Sequence, residues 1–218
     1  MKQDLAIIIP AQEYNRYHEK GDLAPFGDTT LLEWKISQCK EFANEDQIYI
    51  CADGFNIQKI AKDYKVNFVE RSNEKKYIYS AMKIIENLQY ENILWTYCTS
   101  PFINASIYQK MYNRFLSDNL ESMISVSKIQ EYVLYKNKKL NFDNDFLPRV
   151  NIEPIYIIIN GCFIFKRSKA LEAHSLVLEN FKIFELDNLS SLEIKSINDY
   201  AISKELITMY FRKDIISD

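Results

Sequence analysis

The chain has 218 residues, enough for one large domain whose core buries most of its apolar side chains. With 27 Lys and Arg against 30 Asp and Glu, its net charge of −3 excludes a protein whose main task is to coat nucleic acid. A composition 47% hydrophobic and 26% charged excludes a disordered chain, and no run approaches the roughly 18 uncharged apolar residues of a membrane span.

The first nine residues are basic and then apolar, but the apolar run is short and Pro10 leads into a charged stretch rather than a cleavage site. No signal peptide is expected, and the chain is read as cytoplasmic. Leu5–Ile9 is a fully buried strand ended by Pro10. Leu32, Ile36 and Cys39 fall at i, i+4 and i+7, which predicts a helix over 30–42 with Asp28 or Thr29 as its N-cap. Strands follow at 47–51 and 66–69, with a helix striped by Ile57, Ile60, Ala61 and Tyr64 between them. Ile78, Ala81, Met82 and Ile85 stripe the next helix. Residues 92–97 form a buried strand broken by Thr99-Ser100-Pro101, and Ile107, Met111 and Phe115 mark another helix. The segment 121–127 is again strand-like.

Residues 128–156 break this rhythm. They are rich in Lys, Asn and Asp and contain Pro148 and Pro154, which predicts a protruding arm. A long strand at 156–165 is interrupted by Asn160-Gly161, a sign of a bulge or of a closely approaching ligand. A short strand at 182–186 precedes Ser196-Ile-Asn-Asp199, which fits a capping box for a last helix striped by Ile202, Leu206, Met209 and Tyr210. With no repeat and no linker, residues 1–218 make a single domain. Cys39, Cys51, Cys98 and Cys162 are too far apart for a CxxC pair, and His18 and His174 have no partner pattern. The cysteines are therefore read as reduced, buried, small hydrophobes, with no structural zinc.

Strand–helix alternation of this kind predicts an α/β fold, a central and mostly parallel sheet with helices on both faces. Ligands bind such sheets beyond the carboxyl ends of the strands, so the loops after Ile9, Cys51 and Tyr97 are the places to look.

Several segments carry a family likeness in order and spacing. Ile8-Ile9-Pro10-Ala11 is followed by Pro25-Phe26-Gly27 and Leu31-Leu32-Glu33-Trp34. Ala52-Asp53, Ile60-Ala61 and Phe68-Val69-Glu70-Arg71 come next, then Thr99-Ser100-Pro101-Phe102. Arg149, Glu153-Pro154-Ile155-Tyr156 and Asn160-Gly161-Cys162-Phe163-Ile164-Phe165 complete the series. Over nearly its whole length the chain resembles the acylneuraminate cytidylyltransferase family, enzymes that make CMP-activated acidic sugars. The resemblance implies a GT-A-like, Rossmann-type nucleotidyltransferase fold with a dimerisation arm. It also implies a reaction: the anomeric hydroxyl of an acidic, nonulosonate-type sugar attacks the α-phosphate of CTP and pyrophosphate leaves. Such chemistry needs cations on the triphosphate, Mg²⁺ and in-line positioning of the nucleophile.

The chain departs from the family at the positions that carry this chemistry. Where the family loop reads Arg-Gly-Gly-Ser-Lys with a later Lys-Asn, this chain has Gln12-Glu13-Tyr14-Asn15-Arg16 and later Gly21-Asp22. The family's late Asp-x-Asp pair is Glu193-Ile194-Lys195, and the Gln before the Thr-Ser-Pro turn is Tyr97. By resemblance, Arg16 and Lys20 are the candidate triphosphate cations, or else solvated loop charges beside Glu13 and Glu19. Lys195 is a candidate to fill a metal's place and neutralise phosphate, or else an exposed strand-end lysine. Ala11, Gln12, Asp22, Arg71 and Tyr97 are the candidate nucleotide contacts. Arg71 alternatively pairs with Glu70 or Glu74. Thr99, Ser100, Arg149 and Asn160 are the candidate substrate contacts, with an N-cap role open for Thr99 and Ser100 and a partner-subunit role open for Arg149. Glu193 and Asp22 are the candidate Mg²⁺ ligands. Asp53 reads as a turn residue and Asp199 as a cap.

Three functions are in competition. The first is a CTP-dependent cytidylyltransferase of surface-glycan biosynthesis, acting as a homodimer on a nucleotide and a small acidic substrate, with no nucleic-acid or membrane partner. The second is a non-catalytic relative that binds a nucleotide or a partner. The third is a GT-A-type glycosyltransferase or another nucleotidyltransferase.

Overall fold

The computed structural model describes residues 4–71, 76–143 and 147–213. Its strands are β1 (Leu5–Pro10), β2 (Pro25–Phe26), β3 (Thr29–Thr30), β4 (Ile48–Ala52), β5 (Asn67–Glu70), β6 (Asn92–Thr96), β7 (Ser122–Ile129), β8 (Leu134–Tyr135), β9 (Lys138–Lys139), β10 (Ile155–Lys166) and β11 (Phe181–Leu186). Its helices are α1 (Leu31–Lys40), α2 (Phe55–Asp63), α3 (Tyr77–Glu86), α4 (Ala105–Ser117), α5 (Arg167–Ala173) and α6 (Ile197–Lys213). Seven strands form one sheet in the order β11-β7-β10-β6-β1-β4-β5. Only β10 runs antiparallel to its neighbours; every other pairing in this sheet is parallel.

The uninterrupted apolar run of β1 follows from burial on both faces. Leu5, Ile7 and Ile9 point into a core built with α1, α2, α4 and α6. Ala6 and Ile8 point into a second core, with α3 and α5. The chain passes from β1 to β4 and β5 on one side and then returns to β6 on the other. The order of strands thus reverses between β1 and β6, where a crevice opens beyond the strand ends.

Local chemistry fixes the boundaries. Thr30, not Asp28 or Thr29, caps α1: its Oγ1 accepts from the Glu33 amide at 3.2 Å, and the Glu33 carboxylate accepts from the Thr30 amide at 3.0 Å. Asp28 instead follows Gly27, whose φ of +58° makes the tight turn between β2 and β3. Ser196 and Asp199 do form a capping pair, with the serine hydroxyl donating to the carboxylate at 2.8 Å. The face of α6 differs from expectation. Tyr200, Ser203 and Ile207 are buried, whereas Ile202 and Met209 are exposed.

The Asn160-Gly161 interruption is a bulge, since the β10–β7 register shifts between Ile158 and Phe163. Its freed carbonyls are satisfied by hydroxyls. Ser125 donates to Ile159 O (3.1 Å), Ser100 to Asn160 O (3.0 Å) and Thr96 to Gly161 O (2.6 Å). The arm lies between the ends of β7 and β10, two residues inside the expected limits at each end, and carries the β8–β9 ribbon. Leu134, Tyr135, Leu140 and Val150 are exposed on it. All four cysteines are buried and free. Among the described residues no helix is long and apolar enough to cross a membrane.

Candidate active site

Two adjoining cavities open at the β1/β6 switch point. The larger, about 230 Å³, is lined by Asn15, Arg16, Tyr17, Tyr77, Tyr97, Thr99, Asn160, Glu193, Ile194 and Lys195. The smaller, about 80 Å³, is lined by Pro10, Gln12, Asn15, Asp22, Tyr77, Tyr97, Cys98 and Thr99.

One wall is the loop after β1. Its two ends close on each other: the Asp22 amide donates to Gln12 O at 2.8 Å, and the Gln12 amide donates to the Asp22 carboxylate at 2.7 Å. Gly21 is required here, because its φ is +50° and a Cβ would collide with the Gln12 carbonyl and the Tyr14 amide. Tyr17 is turned inward, donates to the other Asp22 oxygen at 2.6 Å and stacks on Tyr200 of α6. Burial raises the Asp22 carboxyl to about 6, against the lowering effect of these two hydrogen bonds and of the Arg71 charge.

Glu13, an acidic intruder in a loop expected to meet phosphate, is sequestered. Its carboxylate accepts from the Asn56 amide (2.7 Å), the Ile57 amide (3.3 Å) and the Asn56 side chain (3.1 Å), so it caps the N-terminus of α2. Gly54 leaves room for it: a Cβ there would overlap the Glu13 carboxylate. Arg16, exposed at the cavity edge, makes no ion pair among the described residues.

The opposite walls come from the turn after β6 and from the segment before α6. Tyr97 packs edge-on against Phe163 and shares a 3.3 Å contact with the Tyr77 hydroxyl. Burial raises both phenols above their ordinary value. The Thr99 carbonyl accepts from the Ile194 amide at 2.8 Å, which seats Glu193 and Lys195 against the turn. The Glu193 side chain, only 6% exposed, accepts from the Asn160 side chain at 3.0 Å and pairs with Lys195 at 3.1 Å. Lys195 is half exposed and lines the larger cavity.

Asp22 and Glu193 do not make an all-protein cage for Mg²⁺: Asp22 lines the smaller cavity and Glu193 the larger, where Lys195 pairs with it at 3.1 Å. Among the described residues no group of three His, Cys, Asp or Glu side chains is placed to hold a metal.

Of the residues expected at the site, Gln12, Arg16, Asp22, Tyr97, Thr99, Asn160, Glu193 and Lys195 line the two cavities. Ala11, Lys20, Arg71, Ser100 and Arg149 line neither. Ala11 is buried and its amide donates to Cys51 O. Lys20 is exposed. Arg71 pairs with Asp53 at 3.4 Å rather than with Glu70, and Glu74 lies outside the described residues. Ser100 is fully buried beneath the β10 bulge. Arg149 sits on the arm and pairs with Glu131 at 2.8 Å. Asn15, Tyr17 and Tyr77 line the cavities without having been singled out in the sequence. Tyr17 and Tyr77 are ordinary-looking aromatics whose only sign was their place in a loop and at a helix start.

Comparisons with known proteins agree on the architecture. Among solved structures, CMP:2-keto-3-deoxy-manno-octonic acid synthetase complexed with CTP superposes with a TM-score of 0.71 at 10% identity, over 96% of this chain and 99% of that one. The 4-diphosphocytidyl-2C-methyl-D-erythritol synthase of Anaerococcus prevotii gives 0.67 at 15% identity, over 94% and 98%. A cytidylyltransferase from Leptospira borgpetersenii gives 0.66 at 16% identity, over 94% and 87%. At these identities the likeness establishes the fold, a Rossmann-like nucleotidyltransferase α/β sheet with flanking helices. No curated protein matches the sequence. The acylneuraminate branch in particular is not singled out. The sequence profile of the MobA-like NTP transferase domain matches residues 15–144, more than half of the chain, and the protein belongs to that family.

Proposed function

We propose that the chain transfers CMP from CTP to an acidic sugar of the nonulosonate type, or to a related acidic metabolite, and releases pyrophosphate. The observation that carries this reading is the pair of cavities at the switch point, with Arg16 and Lys195 flanking the larger one. The nucleotide and the acceptor lie across both cavities, which share Asn15, Tyr77, Tyr97 and Thr99 as lining. Arg16 and Lys195 offset the phosphate charge, the part played in the family resembled by the metal that a carboxylate pair holds. The acceptor hydroxyl forms a bond to the α-phosphorus, the bond from that phosphorus to the bridging oxygen breaks, and the hydroxyl proton leaves to solvent. A synthetase that shares the fold and was solved in complex with CTP supports the choice of nucleotide. The exposed apolar side chains of the arm support a homodimer formed through it.

The test is pyrophosphate release from each of the four NTPs, with and without Mg²⁺, across a panel of acidic sugars. Release with CTP and one acidic acceptor is expected. No release, and no thermal shift with any nucleotide, would overturn the proposal. Hydrolysis of a nucleotide sugar would favour the glycosyltransferase reading. The binding-only reading draws on one observation, the closure of Glu193 onto Lys195 and of Asp22 onto Tyr17.

A further inference from the structure

A lysine lies under the site, sealed from solvent. Lys35 of α1 is 0% exposed, and its ammonium donates to Ser100 O (2.9 Å), Ile103 O (3.1 Å) and the Tyr108 hydroxyl (3.0 Å). It makes no ion pair among the described residues. The groups that face it are the Tyr108 hydroxyl of α4 and three thiols: Cys39 on its own helix, Cys98 after β6 and Cys162 on β10. A fully buried charge without a counter-ion is costly, and here all three ammonium protons are spent on oxygens of one turn and one hydroxyl.

Those oxygens belong to the scaffold of the cavity. The turn that Lys35 holds contains Ser100, whose hydroxyl donates to Asn160 O in the β10 bulge. Tyr108 joins Thr96 at 2.9 Å, and Thr96 donates to Gly161 O in the same bulge. Trp34 and Gln38, on the same helix, both donate to Pro101 O, at 2.7 and 2.8 Å. One end of this network is Thr99, whose carbonyl seats Ile194 and with it Glu193 and Lys195. The other end is Asn160, whose side chain holds Glu193.

We propose that Lys35 is a positioning residue: it ties the 99–103 turn and the β10 bulge together and so sets the spacing of Thr99, Asn160 and Glu193 in the larger cavity. Its proton is part of the tie, because only the ammonium has three donors for three acceptors. Burial lowers Lys35 to about 8, while burial raises the facing Cys39 thiol to about 12 and the Cys98, Cys162 and Tyr108 groups well above their ordinary values. A transition near pH 8 in this region therefore belongs to Lys35.

The experiment follows backbone amides by NMR in the whole protein, wild type against Lys35→Met and Tyr108→Phe. The amides of Thr99, Asn160 and Ile194 are expected to move in both variants while those of β5 stay in place. In wild type the same amides are expected to titrate together with a midpoint near pH 8, a transition that Lys35→Met abolishes. A loss of at least fivefold in CTP affinity is expected for Lys35→Met at pH 7. Unmoved amides, no shared titration, or unchanged CTP affinity would overturn the proposal. Should Lys35→Met not fold, Tyr108→Phe and the wild-type titration still decide. The affinity arm rests on the cytidylyltransferase reading. If CTP moves no wild-type amide, that reading fails, and the comparison without CTP still tests Lys35.

Discussion

Asp22 is 4% exposed and holds two hydrogen bonds, and its carboxyl sits near 6 rather than at 3.8. Between those values the native state keeps a proton that the unfolded chain has released. The contribution of Asp22 to stability is therefore full below pH 3.8 and is lost as pH rises through about 6. Urea midpoints measured from pH 4 to 7 should show this slope in wild type and a flatter one in Asp22→Asn; identical slopes would remove Asp22 from the account. Tyr17→Phe deletes one donor to the same carboxylate and should cost about 1–3 kcal/mol in the same assay, the usual cost of leaving a buried polar group unpaired. Lys35 gives the opposite sign. Lowered to about 8 from 10.5, it costs stability in full below pH 8, and that cost is relieved as pH rises toward 10.5. Lys35 was invisible in the sequence, where a lysine between Trp34 and Ile36 reads as the solvent face of an amphipathic helix. Its carbonyl partners lie more than 60 residues away and have no side-chain signature.

At the scale of elements, the loop after β1 and helix α2 are one unit, joined by Glu13. Glu13→Ala removes the cap of α2 and should lower stability by about 0.5–2 kcal/mol, as losses of N-caps do. Gly54→Ala should act in the same direction by evicting the carboxylate. Chemical unfolding of both variants checks this, and no loss in either would show that Glu13 is not the cap. Strands β1 and β4 were legible in the sequence because unbroken apolar runs of five residues leave few alternatives to strands covered on both faces. Helix α6 was legible as a helix but not as a face. Ile202, Leu206 and Met209 form an apolar stripe, yet the face turned inward carries Tyr200, Ser203 and Ile207, with Tyr200 stacked on Tyr17. The role of Glu13 was not legible either, since its partners Asn56 and Ile57 lie 43 and 44 residues on. Asn160-Gly161 was legible as an interruption, because an Asn-Gly pair inside an apolar strand breaks both packing and register.

On the scale of the whole molecule, the sheet brings residues from opposite ends of the chain to one cleft: Gln12 and Arg16 after β1, Tyr97 and Thr99 after β6, Asn160 in β10, and Glu193 and Lys195 before α6. The arm stands apart from that cleft with Val150 79% exposed and Leu134 64% exposed. Light scattering should show a dimer, and Val150→Glu should weaken it; a monomeric wild type would contradict the pairing. Calorimetry of CTP binding without added metal tests the proposed role of Arg16 and Lys195 in this cleft. Wild type is expected to bind, and Arg16→Ala and Lys195→Ala each to weaken binding by about 10–100-fold, the worth of a hydrogen bond to a charged group. No binding by wild type, or unchanged affinity in both variants, would contradict the account.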